Sequence, residues 1–218
     1  RVIEFDGEFQ ICFEEKVALT LGDLFYLRAK LHKFVYQHRV TKVVDDMTMQ
    51  ALLAADDHFF IPDGKGNKLR LSETVGSPEA YTKTGDWVLG AISATESPQL
   101  ARARSIIDLI HTRKLYRMVG YCDYTNASTI ARQILELVAP QDRVGITEDT
   151  ICVLKSKIVY GSSGDEGGNP LRNVRFFNPK RSLQMARKLS DTRVSKLFSP
   201  REFSEHVCMV FSRSHEHV

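Results

Sequence analysis

Arg28, His32 and Tyr36 stand at i, i+4 and i+8 in the stretch from Asp23 to Arg39, so on a helix they form one polar stripe. At about 100° per residue, Leu24, Leu27, Leu31 and Val35 form the adjacent apolar stripe, while Lys30, Lys33 and Gln37 fall on the far side. The spacing predicts a polar stripe at the shoulder of the core-facing side, half buried and pointing into a cleft. A guanidinium, an imidazole and a phenol along one wall suit an anionic ligand that carries a ring or sugar, such as a nucleotide. The same spacing also fits a solvated amphipathic helix with these three side chains on its shoulder.

The elements around that helix follow from local signals. Residues 2–13 alternate in part and read as a short hairpin turning at Asp6-Gly7. Thr20 is the expected N-cap of the helix over 21–38, and a second helix is expected over 41–57. The turn cluster from Pro62 to Asn67 separates two short strands at 59–61 and 68–71. Ser77-Pro78-Glu79 and Ser97-Pro98 open helices at 78–94 and 98–112. Beyond Lys114 the pattern becomes strand (115–121), helix (128–138), strand (150–160), glycine-rich loop (161–168), strand (174–177) and helix (200–213). The expected fold is mainly α: a helical part over 1–118, then a smaller α+β lobe over 119–218, divided near 115–125.

A chain of 218 residues with 43% apolar composition can bury a sizeable core. Its net charge of +3 is too small to argue for nucleic acid by itself. It has no apolar run of about 18 residues to span a membrane, and no signal-peptide pattern. Cys12, Cys122, Cys152 and Cys208 lie far apart without a C-x-x-C pair, which reads as buried thiols in a reducing compartment. The chain opens at Arg1 without an initiator methionine, in a segment that reads as the middle of a domain, so a fragment or processed piece is expected.

Several other patterns carry less. Asp63-Gly-Lys-Gly-Asn67 and the 161–168 run are glycine-rich but lack the G-x-x-x-x-G-K-[ST] order of a phosphate loop. Asp45-Asp46 and Asp56-Asp57 are adjacent on helices, where neighbouring side chains diverge and cannot chelate together. The basic stretch from Lys180 to Lys188 reads as a solvated edge. The chain contains no His-Asp dipeptide; Asp57-His58 has the reverse order.

Asp23-Leu-Phe followed by Arg28-x-x-Leu-His32-x-x-x-Tyr36-Gln37-His38 closely resembles the sterile-alpha-motif and HD-domain dNTP triphosphohydrolases. Ala54-Ala-Asp-Asp57, Glu79-Ala-Tyr-Thr-Lys83 and Thr112-Arg-x-Leu-x-Arg-x-Val-Gly120 resemble the same family, in order and with nearly its spacing. Weaker similarity continues through Asn169-Pro170. The resemblance implies the C-terminal helical part of an HD phosphohydrolase domain followed by its C-terminal lobe.

It further implies that Arg28 contacts the triphosphate, that His32 lines the pocket, that Tyr36 packs on the deoxyribose and that Gln37 lies near the base, although the helical wheel puts Gln37 on the outer face. A tyrosine ring against C2′ would exclude a ribose hydroxyl, and a guanidinium can grip phosphate through two bonds. Lys16, His38, Arg39, Arg113, Leu115 and Arg117 match positions that contact activating nucleotides, GTP and a dNTP, at the interfaces of a tetramer. Their bland alternative is solubilising surface charge. Glu14, Thr20 and Pro179 depart from the family at this second site, with Lys180 next to the proline.

Zinc or iron, with magnesium, is expected for the complete enzyme, on ligands that precede this stretch. This chain alone is therefore expected to be inactive. The alternative reading is a catalytically inactive relative that senses nucleotides or binds single-stranded nucleic acid. Either would work in the nucleus or cytoplasm.

Overall fold

The computed structural model describes residues 1–122, 129–143, 145–161, 168–190, 194 and 202–213. In chain order the elements are β1 (Val2–Phe5), β2 (Glu8–Glu14), α1 (Ala18–Leu31), a π turn (His32–Tyr36), α2 (Arg39–Ala55), β3 (Phe60–Pro62), β4 (Lys68–Arg70), α3 (Pro78–Tyr81), α4 (Trp87–Ala94) and α5 (Ala101–His111). There follow β5 (Arg117–Cys122), α6 (Ile130–Leu137), β6 (Ile151–Val159), β7 (Arg175–Asn178), β8 (Ser182–Arg187) and β9 (Ser204–Ser212). The strands form sheets ordered β1-β2-β7-β8, β3-β4 and β5-β9-β6. With 47% helix and 27% strand among the described residues, the fold is mixed α/β, which corrects the mainly α expectation.

Two compact units arise from interleaved segments: residues 1–38, 121–130 and 153–209 in one, and 39–120, 131–152 and 210–218 in the other. In the first, β1 and β2 pair antiparallel, with Val2 opposite Ile11 and Phe5 opposite Glu8. Asp6 (φ 54°) and Gly7 (φ 82°) are both left-handed, the geometry that suits an Asp-Gly hairpin turn. Cys12 sits beside Ile3 and Phe177 in the core on one side of this sheet. Ala18, Leu171 and Phe176 form a second cluster with Leu21 and Phe25 of α1.

The helix thus turns its small residues inward. Ala18 and Ala29 are buried, and a Cβ on Gly22 would stand 3.7 Å from Leu171 Cδ1. The leucine stripe expected to face the core is out in solvent instead: Leu24 is 59% and Leu27 54% exposed. Small side chains let a helix backbone approach its neighbour, and that closeness outweighs the bulk of the leucines. Thr20 lies inside α1, whose N-cap position is Val17.

In the second unit, α2, α4 and α5 share one apolar cluster of Ala51, Ala55, Val88, Ile92, Leu100, Ala103 and Ile107. Fully burying a side chain such as Ile92 contributes about 1.5–3 kcal/mol. Asp63 closes the β3–β4 turn by accepting from Lys65 N, Asn67 N and Asn67 Nδ2. Arg213 donates from Nη1 to Asp149 O at 2.9 Å and meets the buried Asp46 carboxylate at 3.4 Å.

The stretch from Lys180 to Lys188, read as a solvated edge, contains β8, the largely exposed last strand in the order of its sheet. Two further expectations change. The helix expected over 78–94 is interrupted between Tyr81 and Trp87. The helix expected over 200–213 is strand β9, the middle strand of its sheet. Cys208, Met209, Val210 and Phe211 are all buried, and a short run that is apolar without alternation reads equally as a buried helix or a central strand. Most of the 161–168 loop lies outside the described residues.

Candidate functional site

The C-terminal end of α1 carries the residues that the sequence singled out. After Leu31 the helix widens. His32–Tyr36 forms a π turn closed by the Gln37 N–H, which donates to His32 O, five residues back, at 2.7 Å. Such a widened turn inserts one residue and shifts the phase of everything after it; π turns recur at functional sites. His32 and Tyr36 remain together, their rings edge to face with centroids 5.3 Å apart. The phase shift also overturns the wheel placement of Gln37. It is half-buried, and its Oε1 accepts from the buried Ser156 Oγ at 3.1 Å.

Arg28 lies one turn before the π turn, on the flank of α1 between the buried alanine face and the exposed leucines. Its Nη1 donates to Val159 O at 2.8 Å and more weakly to Tyr160 O at 3.4 Å. Among the described residues, its Nε and Nη2 have no protein acceptor, so the guanidinium is held by one nitrogen and presents its other edge. The carbonyls it grips are themselves fixed. A Cβ on Gly161 would come within 2.6 Å of Pro170 Cβ, so only glycine lets the chain pass there. Tyr160 N–H donates to Phe203 O, and the two rings pack edge to face at 5.5 Å.

A cleft of about 470 Å³ lies on the opposite flank of α1, lined by Tyr26, Lys30, Lys33, Phe34, Ile158 and Tyr160 among others. Lys33 is already held there by both oxygens of Glu205, at 2.9 and 2.7 Å. Lys30 lies over the Tyr26 ring at 4.9 Å, and burial pushes the Tyr160 phenol above its ordinary range. Arg28, His32 and Tyr36 do not line this cleft. Tyr36 is 54% exposed and His32 is half-buried.

The basic set divides between the units. Lys16 and His38 belong to the first; Arg39, Arg113, Leu115 and Arg117 belong to the second. Lys16 is neutralised by Glu14, whose carboxylate stands 2.7 Å from its Nζ. Arg113 has φ 60°, the left-handed conformation usual for glycine just past a helix. It ends α5 with a Schellman pattern, in which Arg113 N donates to Ile110 O and Lys114 N donates to Leu109 O. Pro179 sits in the tight β7–β8 turn, closed by Arg181 N donating to Asn178 O, and Lys180 is exposed beside it. Among the described residues, no three His, Cys, Asp or Glu side chains converge as metal ligands.

Ser156, Gly161 and the carbonyls of Val159 and Tyr160 support the α1 residues, and the sequence alone did not single them out. Their only signal is one serine between Lys155 and Lys157 of β6 and one glycine ahead of a loop.

The human deoxynucleoside triphosphate triphosphohydrolase SAMHD1 is 31% identical to this chain over 220 residues, covering 98% of the chain. The zebrafish (Danio rerio) protein of the same name is 30% identical over 225 residues, and a Dictyostelium discoideum homolog is 30% identical over 224. Over nearly its whole length the chain is homologous to these dNTP triphosphohydrolases. It spans 35–40% of the length of these curated relatives. No family model matches the chain. For this triphosphohydrolase relative no helix of the described residues is long and apolar enough to cross a membrane.

Proposed function

We propose that this chain supplies part of the nucleotide-binding wall of an enzyme that cleaves a dNTP to its deoxynucleoside and inorganic triphosphate. The dNTP triphosphohydrolase activity for which relatives aligned over nearly the whole chain are named carries this reading. Arg28 grips phosphate oxygens with the guanidinium edge that Val159 and Tyr160 leave open. Tyr36, braced by His32, presents its ring to the sugar, where a 2′-hydroxyl would clash. Gln37, fixed by Ser156, lies toward the base. Lys16 and His38 in one unit, and Arg39, Arg113, Leu115 and Arg117 in the other, are the contacts for activating GTP and dNTP, whose phosphates join subunits of a tetramer by neutralising charges that otherwise repel.

The hydrolytic metal, zinc or iron with magnesium, does not fit this stretch. Among the described residues no three His, Cys, Asp or Glu side chains converge as a donor set, and no step at the metal is derived for this chain.

The test is product analysis. The full-length protein, given a dNTP and divalent metal, should yield inorganic triphosphate and deoxynucleoside in equal amounts. Release of orthophosphate or pyrophosphate, or tight nucleotide binding without turnover, would replace this reading with another hydrolase or with a nucleotide-sensing module. Tyr36→Ala should lower the preference for deoxy- over ribonucleotide at least about tenfold, and an unchanged preference would remove Tyr36 from the sugar.

A further inference from the structure

Among the described residues, Ser156 and Asn169 are the polar side chains that the first unit buries. Asn169 acts locally, its side chain accepting from Leu171 N two residues on. Ser156 instead reaches across the chain. At 2% exposure on β6, its Oγ donates to Gln37 Oε1 at 3.1 Å over a separation of 119 residues. A buried hydroxyl carries one hydrogen that needs an acceptor. Gln37 Oε1 is the acceptor it meets among the described residues, and that fixes the amide. The reverse orientation would aim Nε2 at Oγ and leave the serine hydrogen buried without a partner. Gln37 Nε2 therefore turns away from Ser156, and among the described residues no acceptor meets it.

We propose that Ser156 makes the pocket select bases with a keto oxygen, so that dGTP and dTTP are preferred over dATP and dCTP. The inference rests on the reading that Gln37 faces the base. A free glutamine amide is indifferent, because a half-turn about its terminal bond exchanges donor and acceptor. Held by Ser156, it presents a donor alone. Guanine O6 and thymine O4 accept a hydrogen bond on the base edge away from the sugar, where adenine N6 and cytosine N4 are donors. A donor set against a donor leaves both unpaired, so the site rejects the amino bases by more than the loss of one bond. Ser156 does not touch the nucleotide; it is a positioning residue that acts through Gln37. The π turn contributes by swinging Gln37 onto β6.

The test sets two dNTPs in one tube. Full-length protein with divalent metal and GTP receives equal dGTP and dATP, or equal dTTP and dCTP, and the deoxynucleosides released are separated by chromatography. Both substrates meet the same activated enzyme, so the product ratio reports relative kcat/KM whatever the activators do. The native protein should favour the keto member of each pair about three- to tenfold. Ser156→Ala removes the hydroxyl and should bring both ratios to within about twofold of one, and Ser156→Thr, which restores it, should recover the preference. Gln37→Glu, whose carboxylate only accepts, should turn the preference toward dATP and dCTP. A merely structural serine would lower turnover of all four dNTPs together and leave the ratios in place, and that result would overturn the proposal. So would native ratios near one or favouring the amino bases. Turnover without a keto preference removes this inference alone. No deoxynucleoside from any dNTP removes the triphosphohydrolase reading and this inference with it.

Discussion

Arg28→Ala in the full-length protein separates a structural role for the guanidinium from a phosphate-binding one, because the two differ in size. The structural part is small. One hydrogen bond, from Nη1 to Val159 O at 2.8 Å, has good geometry; the second, at 3.4 Å to Tyr160 O, is marginal. Both lie at an exposed position, so their loss should cost about 1 kcal/mol of folding stability. A guanidinium that bonds to phosphate in the transition state is worth roughly 2–4 kcal/mol, a fall in kcat/KM of about 30- to 900-fold. Urea unfolding would read the first quantity and steady-state triphosphate release the second. Arg28→Lys keeps the charge but not the fork, and should fall between the native protein and alanine. The reasoning fails if kcat/KM stays within about threefold of the native value, or if the activity lost merely tracks the unfolded fraction.

Arg113→Gly should stabilise the fold by about 1 kcal/mol in urea unfolding by relieving the left-handed backbone; it should also weaken nucleotide-driven assembly. A variant less stable than the native protein would show that the arginine's side chain earns its place through contacts. Glu14→Gln should release Lys16 for phosphate and strengthen GTP- and dNTP-driven tetramer formation up to about fivefold, the range of an exposed ion pair. Sedimentation that shows equal assembly would place this pair away from the activator. Burial, reinforced by the nearby Asp46 carboxylate and opposed by Arg213, pushes the Cys152 thiol up to about 11. A raised folded-state value means that the native protein keeps this proton while the unfolded chain loses it. Stability should therefore fall as pH rises from about 9 toward about 11, and Cys152→Ala should flatten that part of the profile. An identical slope in the variant would assign the loss to other groups.

Elements with a local chemical cause were readable in the sequence. The Asp6-Gly7 hairpin, the turn at Asp63 and the start of α3 at Ser77-Pro78 appear where expected because each depends on a few neighbouring atoms. The inward face of α1 was misread because hydrophobicity favours Leu24 and Leu27, whereas packing chose Ala18, Gly22 and Ala29 against Leu171. Strand β9 reads as a helix in the sequence because Cys208 to Phe211 carry no alternation, and its central place in the sheet is a long-range fact. The π turn was invisible for a similar reason. Nothing in His32 to Tyr36 announces an extra residue per turn; the bond between Ser156 and Gln37 joins positions 119 apart.

That extra residue has an unexpected implication for anyone shortening or redesigning this segment. A redesign that kept every residue but let regular α-helix run straight through His32–Tyr36 would give the isolated peptide more helicity. It would also rotate Gln37 by roughly a quarter turn, off Ser156. The better helix would lose the bond between Gln37 and Ser156: here irregularity is what aims the side chain.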